Sequence, residues 1–243
     1  MKKSIIVQAR MTSTRLPGKV MKEVKGKPLL EYQIERLRSA GSMDGVIVAT
    51  TVNSEDDIIV DFCKEKKVPY FRGDEDDVLG RYYEAAKKFN VDLICRCTSD
   101  CPLIDPAIVN KVVAYYLDNY PDIEYATCSD FPLGMSAEIF SFQHLKEAYM
   151  NAELGYEREH VTPYFYSNPF RKFKVGRIYP EEKAPKYRLT VDTPDDLKLI
   201  EKILQVLYLK QPMFSLNDIT NLMKKNPTWQ EINSHIKQKT LED

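Results

Sequence analysis

The stretch SIIVQARMTSTRLPGK (residues 4–19) decides the fold class of this chain, because it joins an apolar run directly to a loop rich in cations. Residues 4–8 form a short apolar run that predicts a buried first strand. The loop after it contains Arg10, Arg15 and Lys19, with hydroxyl residues between the two arginines and a Pro-Gly turn signal before the lysine. A strand that ends in such a loop is typical of an open α/β sheet, whose ligands bind where strands end.

The composition of this loop predicts a site for a polyphosphate. Arginine offers forked N–H donors and lysine a mobile point charge, and both bind phosphate oxygens. The loop is not a P-loop, because Val20 follows Lys19 where that motif has serine or threonine. On charge alone the loop could equally be a solvated basic surface. Its position directly after the first strand supports the phosphate interpretation.

The patterns that follow predict an α/β chain with a parallel, doubly wound sheet. Helical patterns over residues 28–40 and from Ser54 to about Lys66 alternate with apolar runs at residues 45–50 and 69–71. This β-α-β-α-β order is typical of doubly wound sheets. Ser54 is expected to cap the second helix, with the acidic residues after it complementing the helix dipole.

Composition excludes several classes of protein. The chain has 243 residues, enough for one sizeable α/β domain, and a net charge of −1 from 35 Lys and Arg against 36 Asp and Glu. This balance argues against a nucleic-acid binder that works by bulk charge. No stretch is long and apolar enough to predict a signal peptide or a membrane span, so we expect a cytoplasmic protein without a membrane partner.

Five cysteines fit free thiols in that compartment. Cys95 and Cys97 would point to the same face of a strand. Their spacing from Cys101 is not that of a zinc knuckle, so a buried thiol pair is favoured over a metal site.

The acidic run at residues 74–77 has two interpretations. It could be a metal site, or the Asp-x-Asp motif of a glycosyltransferase that consumes a nucleotide sugar. Acids before an apolar-periodic segment are also a favoured helix N-terminus. We favour the helix start.

Asp100 is the first acid that capping does not explain. It follows an apolar run at residues 92–97 that predicts a further core strand, whereas Asp105 and Pro106 are a helix cap and its first-turn proline. A carboxylate that faces a phosphate site would repel the substrate unless a cation bridges them. Mg²⁺ does this with one or two carboxylates and phosphate oxygens. We therefore predict that Asp100 is a metal ligand.

Asp192 occupies a similar position at the end of residues 187–191, which predict another strand. Thr193 and Pro194 predict a helix start, and the two acids after them complement its dipole. Asp192 lies outside that helix. From Ser215 two amphipathic helices are expected. We divide the chain into a domain of residues 1–210 and a helical extension of residues 211–243, packed on the same domain or on a second subunit.

QARMTSTRLPGK (residues 8–19) resembles the N-terminal signature of the sugar cytidylyltransferases, the group that makes CMP-Kdo and CMP-sialic acids. The similarity is nearest to the branch of spore coat polysaccharide biosynthesis protein F, and a stretch at residues 157–164 is also similar to that branch. The resemblance implies a Rossmann-like, three-layer nucleotide-diphospho-sugar transferase fold with a mainly parallel mixed sheet. It also implies a Mg²⁺-dependent reaction of CTP with a sugar, an ulosonic or nonulosonic acid, for surface polysaccharide synthesis, and a homodimer.

The resemblance also assigns site residues. Catalysis falls to Arg10 and Lys19, which carry the charge of the triphosphate. The implied nucleotide-binding positions are Ala9, Arg10, Ser13, Arg15, Lys19, Arg81 and Thr98. The implied Mg²⁺ ligands are Asp100 and Asp192. The implied acceptor-binding positions are Glu138, Arg158 and His160, although a lone histidine is also common as a structural residue.

Three alternatives stay open at this point. The first keeps nucleotidyl transfer but changes the acceptor to a sugar 1-phosphate or the nucleotide to another triphosphate. The second is a glycosyltransferase that uses a nucleotide sugar. The third is a non-catalytic nucleotide-binding protein.

Overall fold

The computed structural model describes residues 1–167 and 173–238. Within these residues the strands are β1 (Lys3–Gln8), β2 (Glu23–Val24), β3 (Lys27–Pro28), β4 (Gly45–Thr51), β5 (Tyr70–Gly73), β6 (Leu93–Thr98), β7 (Tyr125–Cys128), β8 (Glu138–Ser141) and β9 (Val175–Ile178). The α-helices are α1 (Leu29–Arg38), α2 (Asp57–Glu65), α3 (Val78–Lys88), α4 (Pro106–Asp118), α5 (Phe142–Asn151), α6 (Gly155–His160), α7 (Pro163–Ser167), α8 (Pro194–Leu207) and α9 (Leu216–Lys225). Short 3₁₀ turns lie at Lys19–Met21, Ser54–Asp56 and Pro227–Ile232.

The central sheet has seven strands in the order β5-β4-β1-β6-β8-β7-β9. Only β8 pairs antiparallel with its neighbours, so the other six strands run in one direction. This confirms the predicted mainly parallel mixed sheet. The chain winds from β1 to β4 and β5, and then returns to the other side of β1 as β6. The loops after β1 and β6 therefore diverge, which opens a crevice at the carboxyl ends of these two strands.

Helices cover both faces of the sheet. Ile5 and Val7 of β1 belong to one apolar cluster with residues of α1, α2 and α4. Ile6, between them, belongs to a second cluster with residues of α3, α5 and α7. Alternate side chains of a strand point to opposite faces, so the sheet is the middle of three layers.

A third apolar cluster joins the loop after β1 to the C-terminal part of the chain. It contains Leu16 from that loop, Leu199 and Ile203 from α8, and Ile219 and Met223 from α9. The C-terminal helices thus pack beside the crevice, and Leu16 anchors the loop to them.

Several predicted helix starts are confirmed. The Asp77 carboxylate accepts a hydrogen bond from the Gly80 N–H at the start of α3. The Asp105 carboxylate accepts from the Ala107 N–H at the start of α4, and the Thr193 hydroxyl accepts from the Asp196 N–H at the start of α8. The buried, free thiols of Cys95 and Cys97 also agree with the prediction.

The predicted cap at Ser54 is wrong. A 3₁₀ turn precedes α2, and the Ser54 side chain makes no capping hydrogen bond there. Asp56, in the same turn, is buried and binds outside the helix. Its carboxylate accepts from the Met11 N–H at 2.7 Å and from the Thr51 N–H at 3.2 Å. Asp56 therefore holds the loop after β1 instead of complementing a dipole.

The predicted strand at residues 187–191 is also wrong. It makes one isolated bridge, between Arg188 and Leu133. Its backbone hydrogen bonds go to loops: the Leu189 N–H donates to the Leu133 carbonyl at 2.8 Å and the Val191 N–H to the Asp100 carbonyl at 2.8 Å. Gly134 allows this approach, since its φ is +92° and a Cβ there would lie 2.7 Å from the carbonyl carbon of Leu189.

The C-terminal part differs from prediction in its second helix. The first predicted helix is α9, whose N-terminus is capped by Ser215. The second is the 3₁₀ turn Pro227–Ile232 rather than an α-helix. In the part of the chain that the structure describes, no helix combines the length and apolar character that crossing a membrane requires.

Candidate active site

The loop after β1 is narrow and closed by its own backbone. The N–H groups of Ser13 and Gly18 both donate to the Met11 carbonyl, at 2.9 and 2.8 Å. Gly18 has a φ of +67°, and a Cβ on it would come within 3.0 Å of the Met11 methyl. The turn thus needs glycine, and it brings Lys19 back over the end of β1.

Glu75 holds the first half of the same loop. Its carboxylate accepts from Arg10 Nη1 at 3.2 Å, from the Thr12 hydroxyl and from the Asn53 side-chain amide. Glu75 belongs to the acidic run before α3, so that run supplies both a helix cap and a counterion for Arg10.

The two predicted metal-binding aspartates lie on loops that are tied together. The Asp100 carbonyl accepts from the Val191 N–H at 2.8 Å and from the Thr190 hydroxyl at 3.2 Å. This brings the segment that ends at Asp192 beside the loop that follows β6. The Asp100 carboxylate is itself oriented by the Thr98 hydroxyl, which donates to Oδ1 at 2.6 Å.

Lys19 lies between these carboxylates. Its Nζ is 2.8 Å from Asp192 Oδ1 and 3.5 Å from Asp100 Oδ2. Burial alone would lower the pKa of Lys19, but the two carboxylates outweigh it and raise the pKa above its ordinary value. Burial would likewise raise the pKa of Asp100, but Lys19 and the Thr98 hydroxyl bring it below its usual value. Lys19 and Asp100 are therefore both charged near neutral pH.

Asp192 contacts two further cations. Arg15 Nη2 lies 3.1 Å from Oδ1, the oxygen that Lys19 also contacts. Arg188 Nη2 lies 2.7 Å from Oδ2, and Arg188 Nε donates to the fully buried Asp196 at 2.8 Å. Three cations thus compensate one carboxylate, and two of them come from the loop after β1.

A cavity of about 310 Å³ opens over this cluster at the carboxyl ends of β1 and β6. Every predicted site residue except Glu138 and Arg158 lines it: Ala9, Arg10, Ser13, Arg15, Lys19, Arg81, Thr98, Asp100, His160 and Asp192. The lining also includes Glu159, which the sequence did not single out. The roles that the sequence analysis assigned to these residues remain predictions.

Within the described ranges of the chain, Arg81 is the cavity-lining side chain whose buried nitrogens lack hydrogen-bond acceptors. The residue is 3% exposed, and its Nε and Nη1 atoms have no hydrogen-bond partner among the described residues. Burial lowers its pKa, and the proximity of Arg10 lowers it further. Buried guanidinium nitrogens without hydrogen-bond acceptors are destabilising, and an acceptor group in the cavity would relieve this.

His160 lies at the far side of the cavity, at the end of α6. The next residue, Val161, has a φ of +68°, and the Thr162 N–H donates to the His160 carbonyl at 2.8 Å. This is a γ-turn, a rare and strained conformation for a β-branched residue. It turns the chain sharply after His160. Burial lowers the pKa of the imidazole, so His160 is neutral at pH 7.

The structure gives Glu138 and Arg158 partners outside the cavity lining. Glu138 forms an ion pair with Arg96 and accepts from the Tyr125 hydroxyl at 2.5 Å. Arg158 forms an ion pair with Asp77 and donates to a backbone carbonyl of α5 at 2.9 Å. Their roles in acceptor binding remain predictions.

The donor set fits a divalent metal that is completed by a substrate. Among residues 1–167 and 173–238, no three His, Cys, Asp or Glu side chains converge as an all-protein metal site would require. Asp100 and Asp192 do converge, since both contact one ammonium group. Two carboxylates plus phosphate oxygens are a common Mg²⁺ environment.

Sequence reasoning missed Arg188, Asp196 and Glu75. Asp196 and Glu75 sit in acidic helix starts, a pattern that capping explains fully. Arg188 lies in a run that predicted a strand, and nothing in the run indicates that its guanidinium joins two aspartates. These pairings depend on how distant loops meet, so the sequence carries no local signal for them.

The structure is thus a Rossmann-like, three-layer α/β fold with a charged crevice at the switch point of its sheet. Residues 4–221 match the family described as Cytidylyltransferase, and the chain belongs to that family. It is accordingly an enzyme of the nucleotidyltransferase class.

Known proteins are similar to this chain over nearly its full length. An uncharacterized protein of Methanocaldococcus jannaschii is 40% identical over 98% of this chain and 97% of its own length. The spore coat polysaccharide biosynthesis protein SpsF of Bacillus subtilis is 31% identical over 91% of this chain and 94% of its own. The structure of a cytidylyltransferase from Leptospira borgpetersenii superposes with a TM-score of 0.88 at 36% identity, covering 99% of this chain and 100% of that one.

Proposed function

We propose that this enzyme transfers the cytidylyl group of CTP to a sugar, releasing pyrophosphate and giving a CMP-sugar for surface polysaccharide synthesis. The observation that carries the proposal is the convergence of Lys19, Arg15 and two aspartates at the switch point of the sheet. In the proposed reaction an acceptor oxygen attacks the α-phosphorus in line with the departing pyrophosphate. Such reactions depend on positioning and on charge neutralisation more than on covalent catalysis.

Arg10, Arg15 and Lys19 would bind the phosphates. Each contacts a carboxylate that phosphate oxygens can replace as its partner: Glu75 for Arg10, and Asp192 for the other two. Phosphate contacts to these cations would stabilise the negative charge that develops on the leaving pyrophosphate.

Asp100 and Asp192 would hold Mg²⁺ once Lys19 and Arg15 have moved to the phosphates. Asp192 Oδ1 then becomes free, while Arg188 keeps its contact with Oδ2. A bound divalent cation supplies Lewis-acid catalysis and lowers the pKa of a hydroxyl group that binds to it. An acceptor hydroxyl activated in this way depends less on a protein side chain as its general base.

Arg81 and Thr98 would bind the nucleotide near α3 and β6, and His160 would contact the acceptor. The partnerless Nε and Nη1 of Arg81 support a ligand contact there. His160 is neutral at pH 7, so it can donate to or accept from a sugar hydroxyl. We propose an ulosonic or nonulosonic acid as acceptor, because the sequence resembles enzymes that activate such sugars, and a homodimer as the working form.

The experiment that tests the proposal measures pyrophosphate release from each of the four NTPs with Mg²⁺, with ulosonic acids and sugar 1-phosphates as acceptors. Thermal stability is measured alongside. A ligand at one hundred times its Kd adds about 2.7 kcal/mol, and each kcal/mol raises Tm by roughly 2–4 °C for a chain of this size.

A shift selective for CTP and release with an ulosonic acid are the expected results. A shift with another NTP, or turnover of a sugar 1-phosphate, would keep nucleotidyl transfer and change the product. A shift with a nucleotide sugar alone would overturn the proposal in favour of glycosyl transfer.

A further inference from the structure

The buried amide of Asn233 lies outside the cavity, yet it is connected to Asp192 by a continuous chain of hydrogen bonds. Asn233 follows the 3₁₀ turn Pro227–Ile232 and is 2% exposed. Its Nδ2 donates to Asp196 Oδ1 at 2.8 Å and to the Arg188 carbonyl at 3.0 Å. Both hydrogens of one amide group are thereby used, one on each partner.

Asp196 and Arg188 form the middle of this series of hydrogen bonds. Asp196 accepts from Arg188 Nε at 2.8 Å and from Nη2 at 3.2 Å, which is the two-bond geometry of a carboxylate facing a guanidinium fork. Asp196 also accepts from the backbone N–H groups of Asp192 and Thr193, each at 3.0 Å. Its carboxylate therefore fixes both the backbone at residues 192–193 and the plane of the guanidinium.

Arg188 connects Asp196 to the cavity. Its Nη2 contacts Asp192 Oδ2 at 2.7 Å, and Arg188 is the one partner of that oxygen among the hydrogen bonds and ion pairs of the described residues. The remaining nitrogen, Nη1, donates to Gln238 Oε1 at 2.6 Å. The guanidinium thus joins the C-terminal segment to the carboxylate of Asp192.

We infer that Asn233 is a positioning residue for Asp192, acting through Asp196 and Arg188, so that the C-terminal segment sets the geometry of the carboxylate that takes the divalent cation with CTP. The inference rests on the proposed function in so far as Asp192 binds that cation. Asn233 itself touches neither substrate nor metal. Its loss would leave the cations of the loop after β1 in place and would loosen the carboxylate.

The test compares CTP affinity with and without metal, without an acceptor. Titration calorimetry gives the Kd for CTP in EDTA and in saturating Mg²⁺, and the ratio of the two measures how far the metal strengthens binding. In Asn233→Ala we expect this ratio to fall at least threefold, while the Kd in EDTA stays within twofold of wild type. A merely structural role would weaken both conditions together or neither.

Two further variants make the test specific. Asn226→Ala is the matched control, because its side-chain amide also binds a backbone carbonyl, that of Leu222 at 2.9 Å, but has no contact with Asp196 or Arg188. It should keep the wild-type ratio. Gln238→Ala removes one bond to Arg188 from an exposed residue, so folding is preserved even if Asn233→Ala is unstable. A reduction of the ratio of about twofold is expected.

Unchanged ratios in both Asn233→Ala and Gln238→Ala would overturn the inference while leaving the proposed function intact. A wild-type protein that binds no CTP and releases no pyrophosphate would instead overturn the proposed function, and the positioning role with it. Equal losses in Asn226→Ala and Asn233→Ala would show a general effect of the C-terminal segment and would also contradict the inference.

Discussion

Charge is placed differently in two regions, one that lines the cavity and one that lies mostly beside it. On the side that we call the cation side (Arg10, Arg15, Lys19 and the two aspartates), all three cations line the cavity; Arg15 and Lys19 contact Asp192, and Arg10 contacts Glu75. On the side that we call the α6 side (Arg96, Glu138, Arg158 and His160), the arginines pair with carboxylates outside the cavity lining.

The two regions differ in whether a ligand can replace the carboxylates that pair with their arginines. The side chains of Arg10 and Arg15 are 38% and 29% exposed, so phosphate oxygens can reach them and take over from Glu75 and Asp192. The side chain of Arg96 is 10% exposed, and its partner Glu138 is 16% exposed. We interpret Arg10 and Arg15 as exchangeable binding groups, and the Arg96–Glu138 pair, which joins β6 and β8, as a support for the sheet.

The largest expected effect is on stability, from the α6 side. Arg96→Met leaves the Glu138 carboxylate buried without its counterion, which costs about 3 kcal/mol for a pair of this kind. We expect Tm to fall by roughly 6–12 °C, at 2–4 °C per kcal/mol. Differential scanning calorimetry measures this directly.

The control for Arg96→Met is the double variant with Glu138→Gln, which removes the uncompensated charge. It should recover at least half of the lost stability. If that stable double variant has lost affinity for the acceptor, Glu138 also binds substrate, and the division into two sides is too simple.

Lys19→Ala tests the cation side. We expect kcat to fall at least tenfold, which corresponds to about 1.4 kcal/mol, because the leaving pyrophosphate loses a cation. Steady-state pyrophosphate release measures it. Lys64→Ala, on an exposed lysine of α2, is the matched control and should keep wild-type turnover. A wild-type kcat in Lys19→Ala would contradict the assignment of Lys19 as a catalytic residue.

Arg81→Met separates binding from stability. Loss of a charged hydrogen-bond donor should raise the Kd for CTP roughly tenfold. Because Arg81 has two partnerless buried nitrogens, we expect Tm without ligand to stay unchanged or rise. Arg177→Met, at an exposed position of β9, should change neither quantity. A fall in Tm without a change in Kd would show that Arg81 is structural.

The smallest expected effect is the pH dependence at His160. Burial lowers its pKa, with Arg96 adding to the effect and Glu159 opposing it, so the unfolded chain binds more protons between the folded pKa and about 6.5. The stability that neutral His160 contributes is complete above about pH 6.5 and is lost as the pH falls below it.

The measurement is the free energy of unfolding of wild type minus that of His160→Gln, at pH 7.5 and 5.5. We expect the difference to shrink at pH 5.5 by less than about 1 kcal/mol. An NMR titration midpoint of the imidazole at or above 6.5 would contradict the interpretation.

Local patterns in the sequence determined much of the fold and part of the site. Alternating apolar runs and helix caps predicted β1, β4 and β6 and the helices that begin after Asp77, Asp105 and Thr193, because strand and helix periodicity and capping are properties of neighbouring residues. The cation-rich loop and Asp100 could be predicted since each follows directly after a strand.

Only the tertiary structure decided which charges meet. Residues 187–191 have the composition of a strand, but their backbone binds two loops instead of a sheet neighbour. Asp56, Glu75 and Asp196 look like helix-start acids, yet their carboxylates hold Met11, Arg10 and Arg188. A carboxylate that can cap a helix can equally accept from a distant donor, and the choice depends on loops that are far apart in the chain and meet only in the folded protein.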